Sequence, residues 1–219
     1  MEIDHIFICV APGAREAEAL KEFGLTEGTA NRHPGQGTSN RRFFFKNAYI
    51  ELLFLIDLEE IRSELTKPTQ LFERLTTEGD DRSPFGICFR PSAGTEEKVP
   101  FSSWSYTPTY LPENLHIDIG NALLNEPMWF FLPFGSRPDT APKERQPPIE
   151  HQNGFAEITS LRVTIPGNSN LSNPALCSID VEGFELVEGN AHLIQIGFDN
   201  ERNGCSHDFR PIVPLVFSW

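Results

Sequence analysis

Short runs of phenylalanine are the sequence feature that most limits how this chain can fold. The 219 residues contain 18 Phe against 3 Trp and 3 Tyr, and several Phe are adjacent, as at 43–45 and 130–131. Adjacent side chains point to opposite faces of a strand, so bulky runs of this kind suit sheet that is covered on both faces. They do not suit amphipathic helices, and the sequence therefore predicts a protein built mainly of β-sheet.

The overall composition is that of an ordinary globular protein and excludes some partners. Hydrophobic residues make up 39% of the chain and charged residues 22%. A chain of this length buries roughly 70% of its unfolded surface, so it needs neither disulfides nor metal to fold. The net charge is −13, with no cluster of Lys and Arg. Binding to nucleic acid or to an anionic membrane through bulk electrostatics is therefore not expected.

No segment predicts export or membrane insertion. The acidic start, Met1 to His5, runs directly into a strand pattern without the basic region of a signal peptide. No stretch approaches the roughly 18 apolar residues of a membrane helix. We therefore expect a cytoplasmic protein. Its four cysteines are widely spaced, match no zinc or redox motif and are predicted to be free, buried thiols: Cys9, Cys88, Cys177 and Cys205.

The first 56 residues form the clearest structural unit. Alternating apolar residues predict strands, one apolar face with helical spacing predicts a short helix, and a segment rich in turn formers predicts an irregular loop. The predicted elements are strands at 3–10, 41–45 and 48–56, a helix at 14–23, a loop at 33–40 and room for one more strand near 24–29.

The rest of the chain divides into four segments, which we expect to form one unit with the first. Helical spacing, strand-like runs and a Pro-rich stretch without periodicity mark the divisions. The segments are a helical connector at 57–83, a second strand-rich module at 84–134, a linker at 135–152 and a third strand-rich block at 153–219.

Several motifs in these segments resemble one known superfamily. The order strand, helix and three strands over residues 1–56 is similar to the βαβββ module of the vicinal-oxygen-chelate superfamily, which includes glyoxalases, bleomycin-resistance proteins and dioxygenases. The motifs that look like its glyoxalase-like group are Ile3-Asp4-His5-Ile6, the segment His33 to Thr38 with Asn40, and Tyr49-Ile50-Glu51-Leu52-Leu53. Weaker similarity continues at 85–90, 132–134 and 151–154.

The resemblance implies an α+β fold in which paired modules of mostly antiparallel sheet form an open barrel or cup. In the superfamily the inner face of the cup usually holds a divalent metal, here Zn, Fe, Mn or Ni, and His5 and Glu51 match two of the ligand positions. The implied function is a metal-dependent lyase, isomerase or dioxygenase that acts on a small organic anion, with His5 and Glu51 as catalytic residues. The alternative is a metal-free protein of the resistance type that sequesters a small ligand. Pairing into a homodimer is also implied.

The strand pattern gives a physical reason to single out His5 and Glu51. Alternation places His5 with Ile3, Phe7 and Cys9 on one face of the first strand, and it places Glu51 on a similarly apolar face of its own strand. An ionisable side chain on a covered face costs several kcal/mol unless it is paired, hydrogen-bonded or metal-bound. The two residues therefore form a metal site, a metal-free polar cleft in which Glu51 is a general base, or a structural pair.

The later blocks depart from the family pattern. Gly86, or Ser160 if the third block is used instead, takes the place of His5, and Phe130 falls near the place of Glu51. At most two protein ligands for a metal are therefore visible. The same strand faces carry Arg90 and Arg162, and a guanidinium that faces a cleft would bind an anionic ligand. The alternative for each Arg is an ion pair with an acid of this acidic chain.

Four further residues are candidates for contact with a ligand. His33, Thr38 and Asn40 belong to the Gly-rich segment, which is predicted either to close over the cleft or to remain an exposed turn. Trp104 is predicted either to wall the cleft or to pack in the core. The sequence thus predicts a cup with a His5 and Glu51 site and a small-molecule ligand, and it does not identify the reaction.

Overall fold

The computed structural model describes residues 1–76, 79, 81–92, 94–95, 98–167 and 170–219. Its described part consists of two sheets and a few short helices. No helix in these residues combines the length and the apolar character needed to cross a membrane. All four cysteines are free, as predicted, but Cys205 is exposed and only Cys88 is fully buried.

The first module has the predicted order of one strand, one helix and three strands. Its elements are β1 (Glu2–Cys9), α1 (Ala17–Glu22), β2 (Arg32–His33), β3 (Thr38–Phe44) and β4 (Tyr49–Leu55). The irregular loop predicted at 33–40 is confirmed for 34–37. It is wrong at His33, which belongs to β2, and at 38–40, where Thr38 to Asn40 pair with β4 as the start of β3. The turn formers serve a tight connection from β2 to β3, in which Gly35 and Gly37 have positive φ.

The second module repeats this strand order without a helix between its first two strands in the residues described. The connector contains α2 (Leu58–Ile61), a 3-10 turn (Lys67–Thr69) and α3 (Leu71–Thr76). The module itself consists of β5 (Phe85–Arg90), β6 (Ser103–Tyr106), β7 (Ile117–Gly120) and β8 (Met128–Phe131).

The two modules form one eight-stranded sheet with the order β2-β3-β4-β1-β5-β8-β7-β6. β1 and β5 lie side by side and antiparallel at the centre, and each runs parallel to the last strand of its own module. The sheet curls into a half-barrel, which confirms the predicted α+β open cup. The strands β5 to β8 therefore complete the cup with the first module.

The third block forms a separate sheet of five strands in the order β10-β9-β11-β13-β12. Its elements are β9 (Ile158–Pro166), α4 (Asn173–Ser178), β10 (Phe184–Gly189), β11 (Leu193–Phe198), β12 (Ser206–Asp208) and β13 (Leu215–Ser218). Within its described residues, this block contributes no strand to the cup.

One face of the first sheet forms the protein core, and the other face surrounds the cleft. One face packs against the second sheet in a large buried core that includes Ile6, Trp129 and Phe217. The other face carries a smaller apolar cluster with Phe7 and Phe130, which surrounds the cleft. Burial on both faces explains why the strands are continuous apolar runs rather than alternating ones.

A bulge in β1 changes which side chains share a face. The register of β1 on β5 shifts between Ile3 and His5. Ile3 consequently packs against the core between the sheets. The prediction that Ile3 shares a face with His5 is therefore wrong, because the extra residue of a bulge reverses the alternation beyond it.

Candidate functional site

The open face of the cup contains a cavity of about 270 Å³. Strands of both modules and the loops beside them contribute to its wall. Its polar lining includes the predicted residues His5, Glu51, His33 and Asn40. Its apolar lining consists of Phe7, Leu53, Leu71, Leu111, Ile117, Ile119, Met128, Phe130, Leu132 and Phe134. The cleft therefore has a small polar centre in a largely apolar wall.

His5 and Glu51 face each other in this cleft, and both are about 5% exposed. His5 Nε2 lies 3.7 Å from Glu51 Oε2. This separation is too long for a direct hydrogen bond. A cation with bonds of about 2.1 Å to each atom, or a water to one side of the line that joins them, could bridge the two side chains.

The His5 ring is fixed on three sides. Its Nδ1 lies 2.7 Å from Oδ1 of Asp4, the ring stacks on Tyr49 with centroids 4.4 Å apart, and it meets Phe130 edge to face at 5.2 Å. Burial raises the pKa of Tyr49 well above its usual value, so its hydroxyl stays neutral. Because Nδ1 lies beside Asp4, Nε2 is the ring nitrogen directed at Glu51.

Glu51 is held by an amide on the neighbouring strand. Asn40 Nδ2 donates to Glu51 Oε1 at 2.8 Å, and the oxygen of the same amide accepts from the Asn31 N–H at 2.7 Å. This pair of bonds fixes which end of the Asn40 amide faces the carboxylate. Oε2 of Glu51 is left directed at His5.

The strands of the second module carry no His or Glu at the positions that match His5 and Glu51, as far as the described residues show. Phe7 pairs with Gly86 across β1 and β5, and Cys88 pairs with Phe130 across β5 and β8. A Cβ at position 86 would overlap the Phe7 ring, so that ring fills the space above Gly86. The strand faces of β5 and β8 beside His5 and Glu51 are therefore largely apolar, and the second module adds the hydroxyl groups of Tyr106 and Tyr110 to the cleft wall.

The donor set fits two ligands of a divalent metal. Metal–ligand bonds from imidazole nitrogen and carboxylate oxygen are about 2.0–2.2 Å long, so two donors on one ion lie at most about 4.3 Å apart. The 3.7 Å between His5 Nε2 and Glu51 Oε2 satisfies this limit. The Asp4 carboxylate on Nδ1 is the arrangement commonly found behind a metal-bound imidazole.

Asp4, His5 and Cys88 form a second group of donors in the described residues, with one ligand atom each within 4.8 Å of the others. All three are buried. Burial and nearby carboxylates raise the pKa of the Cys88 thiol well above its usual value, which disfavours the thiolate that binds metals. Asp4 Oδ1 and His5 Nδ1 are also within hydrogen-bond distance of each other, at 2.7 Å.

His33 and Thr38 support one side of the cleft mouth. His33 Nδ1 lies 2.9 Å from Thr38 Oγ1, which also accepts from the Gln36 amide at 2.8 Å. Burial lowers the pKa of His33. Tyr110 packs on His33 with ring centroids 4.9 Å apart and donates to Gln36 at 3.2 Å. Loops of the two modules thus meet at the mouth.

The structure does not bring Arg90, Arg162 or Trp104 into the cleft wall. Arg90 is buried beside the cleft and donates to the Ile3 carbonyl and the Glu2 carboxylate. Arg162 is exposed on the second sheet and pairs with Glu185 at 2.6 Å. Trp104 lines a separate groove on the far side of Ile119 and Met128.

Arg42 is the cation in the cleft wall, and it was not among the predicted residues. It lies directly opposite Glu51 in the pairing of β3 with β4. Its Nε donates to the Thr29 carbonyl at 2.9 Å, and the guanidinium carbon sits 5.0 Å from the Phe44 ring centroid. Within the described residues, its terminal nitrogens make no hydrogen bond. Alternation along β3 from Asn40 would have identified it.

Comparisons with known proteins identify the family of this chain. The model of the glyoxalase-like domain family matches residues 3–173. No curated protein matches the sequence significantly. Among solved structures, a crystal structure of a hypothetical protein from Staphylococcus aureus is 11% identical, with a TM-score of 0.48 over 99% of this chain and 97% of that chain. Because the family model spans both modules of the cup, the chain belongs to the glyoxalase-like domain family, as the sequence motifs predicted.

Proposed function

We propose that this protein is an enzyme that binds a small organic anion in the cleft and moves a proton on it, in a lyase or isomerase reaction. The observation that carries the proposal is the buried pair of His5 and Glu51, with 3.7 Å between Nε2 and Oε2. Two ionisable groups that are buried in a cleft, fixed by neighbouring polar residues and left with one unbonded atom each directed at the other, are typical of a functional site.

Arg42 supports an anionic ligand. Its terminal nitrogens are free of hydrogen bonds in the described residues, and a guanidinium binds carboxylate with two parallel hydrogen bonds. The apolar wall formed by Phe130, Ile119 and Met128 suits the remaining, apolar part of the ligand. We therefore propose a carboxylate with an apolar body and an oxygen on the carbon next to the carboxylate.

The proton transfer uses the two buried residues at the centre of the cleft. Glu51 accepts a proton from a carbon beside a carbonyl, and the electron pair of that C–H bond moves onto the carbonyl oxygen. Nε2 of His5 lies beside Glu51 and can take the proton on before it returns to a different atom of the same molecule. The apolar wall excludes water, which strengthens both interactions.

A divalent ion held by His5 and Glu51 would supply a Lewis acid for the neighbouring oxygens of the ligand. In that form Nε2 of His5 would be a metal ligand, and Glu51 alone would move the proton. The remaining positions on the ion would fall to water or to the ligand, because Cys88, the nearest donor of β5, is held as a neutral thiol by burial that raises its pKa. Elemental analysis of protein purified without chelator tests this part. We expect Zn, Fe, Mn or Ni in the wild type, its loss in His5→Gln and Glu51→Gln, and its retention in Glu185→Gln, which changes an exposed carboxylate of the second sheet.

The proton transfer is tested by solvent exchange, which does not require the product to be identified. A panel of 2-oxo and 2-hydroxy carboxylates is incubated with the protein in D2O and followed by NMR. We expect deuterium to enter one class of compound, and the rate to fall by about 10²-fold or more in Glu51→Gln, as removal of a general base predicts. Binding of panel members without exchange in any of them would identify a binding protein and contradict the enzyme.

A further inference from the structure

The bulge in β1 places a second buried carboxylate against His5. Consecutive strand residues normally point to opposite faces of a sheet. The register shift between Ile3 and His5 breaks this rule, since a bulge re-aims the side chains next to it. As a result the side chains of Asp4 and His5, each 6% exposed, meet at 2.7 Å.

Asp4 is itself held on its other side. Its Oδ2 lies 3.5 Å from Nη1 of Arg90, whose side chain is 3% exposed. The same Nη1 donates to the Ile3 carbonyl at 2.8 Å. Gly135 lies so close that a Cβ there would be 2.9 Å from Asp4 Oδ2 and 2.8 Å from the Arg90 Cβ. The Asp4 carboxylate therefore has little freedom to turn away from His5.

We propose that Asp4, held by Arg90, is a positioning residue that keeps a proton on His5 Nδ1 and leaves the lone pair of Nε2 directed into the cleft. An ionised carboxylate only accepts hydrogen bonds, so the nitrogen beside it carries the hydrogen. Which nitrogen of a histidine reacts is set by the bond that the other nitrogen makes. The inference rests on the proposed function for the role of Nε2, but the position of the proton is measurable without any ligand.

Long-range 1H–15N NMR of the imidazole rings tests the proposal on the ligand-free protein. The His5 signals are identified by their loss in His5→Gln, and spectra are recorded at an alkaline pH at which the ring is neutral. We expect Nδ1 to be protonated and Nε2 unprotonated in the wild type. A wild-type ring with its proton on Nε2 would overturn the proposal, whatever the variants show.

Asp4→Asn then tests whether Asp4 determines which nitrogen of His5 carries the proton. In this variant Arg90 would donate to the amide oxygen, and the amide N–H groups would then face Nδ1. The ring proton should therefore move to Nε2, and the chemical shifts typical of protonated and unprotonated nitrogen should be exchanged between the two 15N signals. Asp118→Asn is the matched control, since Asp118 is also buried and lies 3.4 Å from His116. It should leave the His5 signals unchanged.

A folded Asp4→Asn protein with the wild-type His5 signals would overturn the role of Asp4. This outcome is distinct from failure of the proposed function, because that function is tested by deuterium exchange on added carboxylates and by Glu51→Gln. The expected His5 tautomer without deuterium exchange would support the positioning role of Asp4 and contradict the proposed enzymatic function.

Discussion

The two ring nitrogens of His5 face two carboxylates at different distances, and this difference distinguishes the fixed side of the ring from the side that is open to a ligand. Asp4 touches Nδ1 at 2.7 Å, whereas Glu51 stays 3.7 Å from Nε2. The close contact fixes the ring, and the wider gap is the place at which a ligand or an ion can enter. A site with two direct contacts would instead be a closed structural pair.

Sequence reasoning found some of these residues and missed others for definite reasons. Alternation along regular strands placed His5 and Glu51 on covered faces, and the structure shows both there. It could not place Asp4 beside His5, because a bulge has no reliable sequence signal. Arg42 was missed because the predicted strand began at residue 41. Asn40 was therefore assigned to the preceding loop, and the strand face that it shares with Arg42 was not recognised.

Arg42→Met should weaken the binding of carboxylates in the cleft by tenfold or more. A hydrogen bond to a charged group contributes about 1.5–3 kcal/mol, and about 1.4 kcal/mol corresponds to tenfold in affinity. Stability should change little, because Arg42 is partly exposed and donates to a single carbonyl. Calorimetric titration with a carboxylate that binds the wild type measures the effect.

Arg162→Met is the control for this prediction, since Arg162 pairs with Glu185 on the exposed face of the second sheet. Its affinity should equal that of the wild type. Equal weakening in both variants would point to the general charge of the protein and would refute a local role for Arg42.

Gly86→Ala should destabilise the protein by about 1–3 kcal/mol, as is usual when atoms are forced into a packed core. The added Cβ would overlap the Phe7 ring, and both residues lie in central strands that cannot move apart. Urea unfolding measures the loss. The double variant Phe7→Leu with Gly86→Ala should recover part of the lost stability. If the double variant is no more stable than Gly86→Ala alone, the Phe7 ring is not the obstacle.

At the scale of elements, the segment predicted as a linker is attached to the first module along its length. Asp139 N donates to the Lys46 carbonyl, and Gln152 N donates to the Gly24 carbonyl. His151 accepts from the Thr26 N–H at 3.0 Å through Nδ1, and its Nε2 lies 2.9 Å from the Phe44 carbonyl. A Pro-rich composition indicates the absence of helix and strand, but it does not reveal such single contacts.

His151 should make the stability of this attachment depend on pH. Burial lowers its pKa, although the bond to the Phe44 carbonyl acts in the opposite direction. Because the folded pKa lies below the unfolded value of about 6.5, the unfolded chain binds more protons as the pH falls. The contribution of His151 is therefore complete above about pH 6.5 and is lost as the pH falls through the folded pKa.

Urea unfolding at pH 8 and pH 5 measures this effect. In His151→Gln the amide can still accept from Thr26 and donate to Phe44 but does not titrate, so the difference between the two pH values should shrink. His116→Gln, which changes a more exposed histidine, should retain the wild-type difference. The same pH dependence in His151→Gln as in the wild type would assign it to other groups, such as His33.

At the scale of the molecule, the cup is a sheet with one face for a ligand and one face for a core. The resemblance predicted the paired modules, and the antiparallel contact of β1 with β5 shows how they join. The partner of the outer face could not be predicted, because apolar strands at 158–165 and 193–198 suit either a third module or a separate sheet. The structure shows a separate sheet that covers Ile6, Trp129 and Phe131.

This arrangement predicts that a chain ending at residue 152 does not fold cooperatively, although it keeps every residue of the cleft. Without the second sheet, the outer faces of β1, β4, β5 and β8 would be exposed to water, including Ile8, Phe85 and Phe89. An apolar patch of this size is not tolerated on a soluble monomer, and most stability of a sheet comes from packing. Thermal unfolding should show no sharp transition and the dye ANS should bind strongly. Sharp unfolding of the shortened chain would instead mean that the cup is an independent domain and that the second sheet only adds to it.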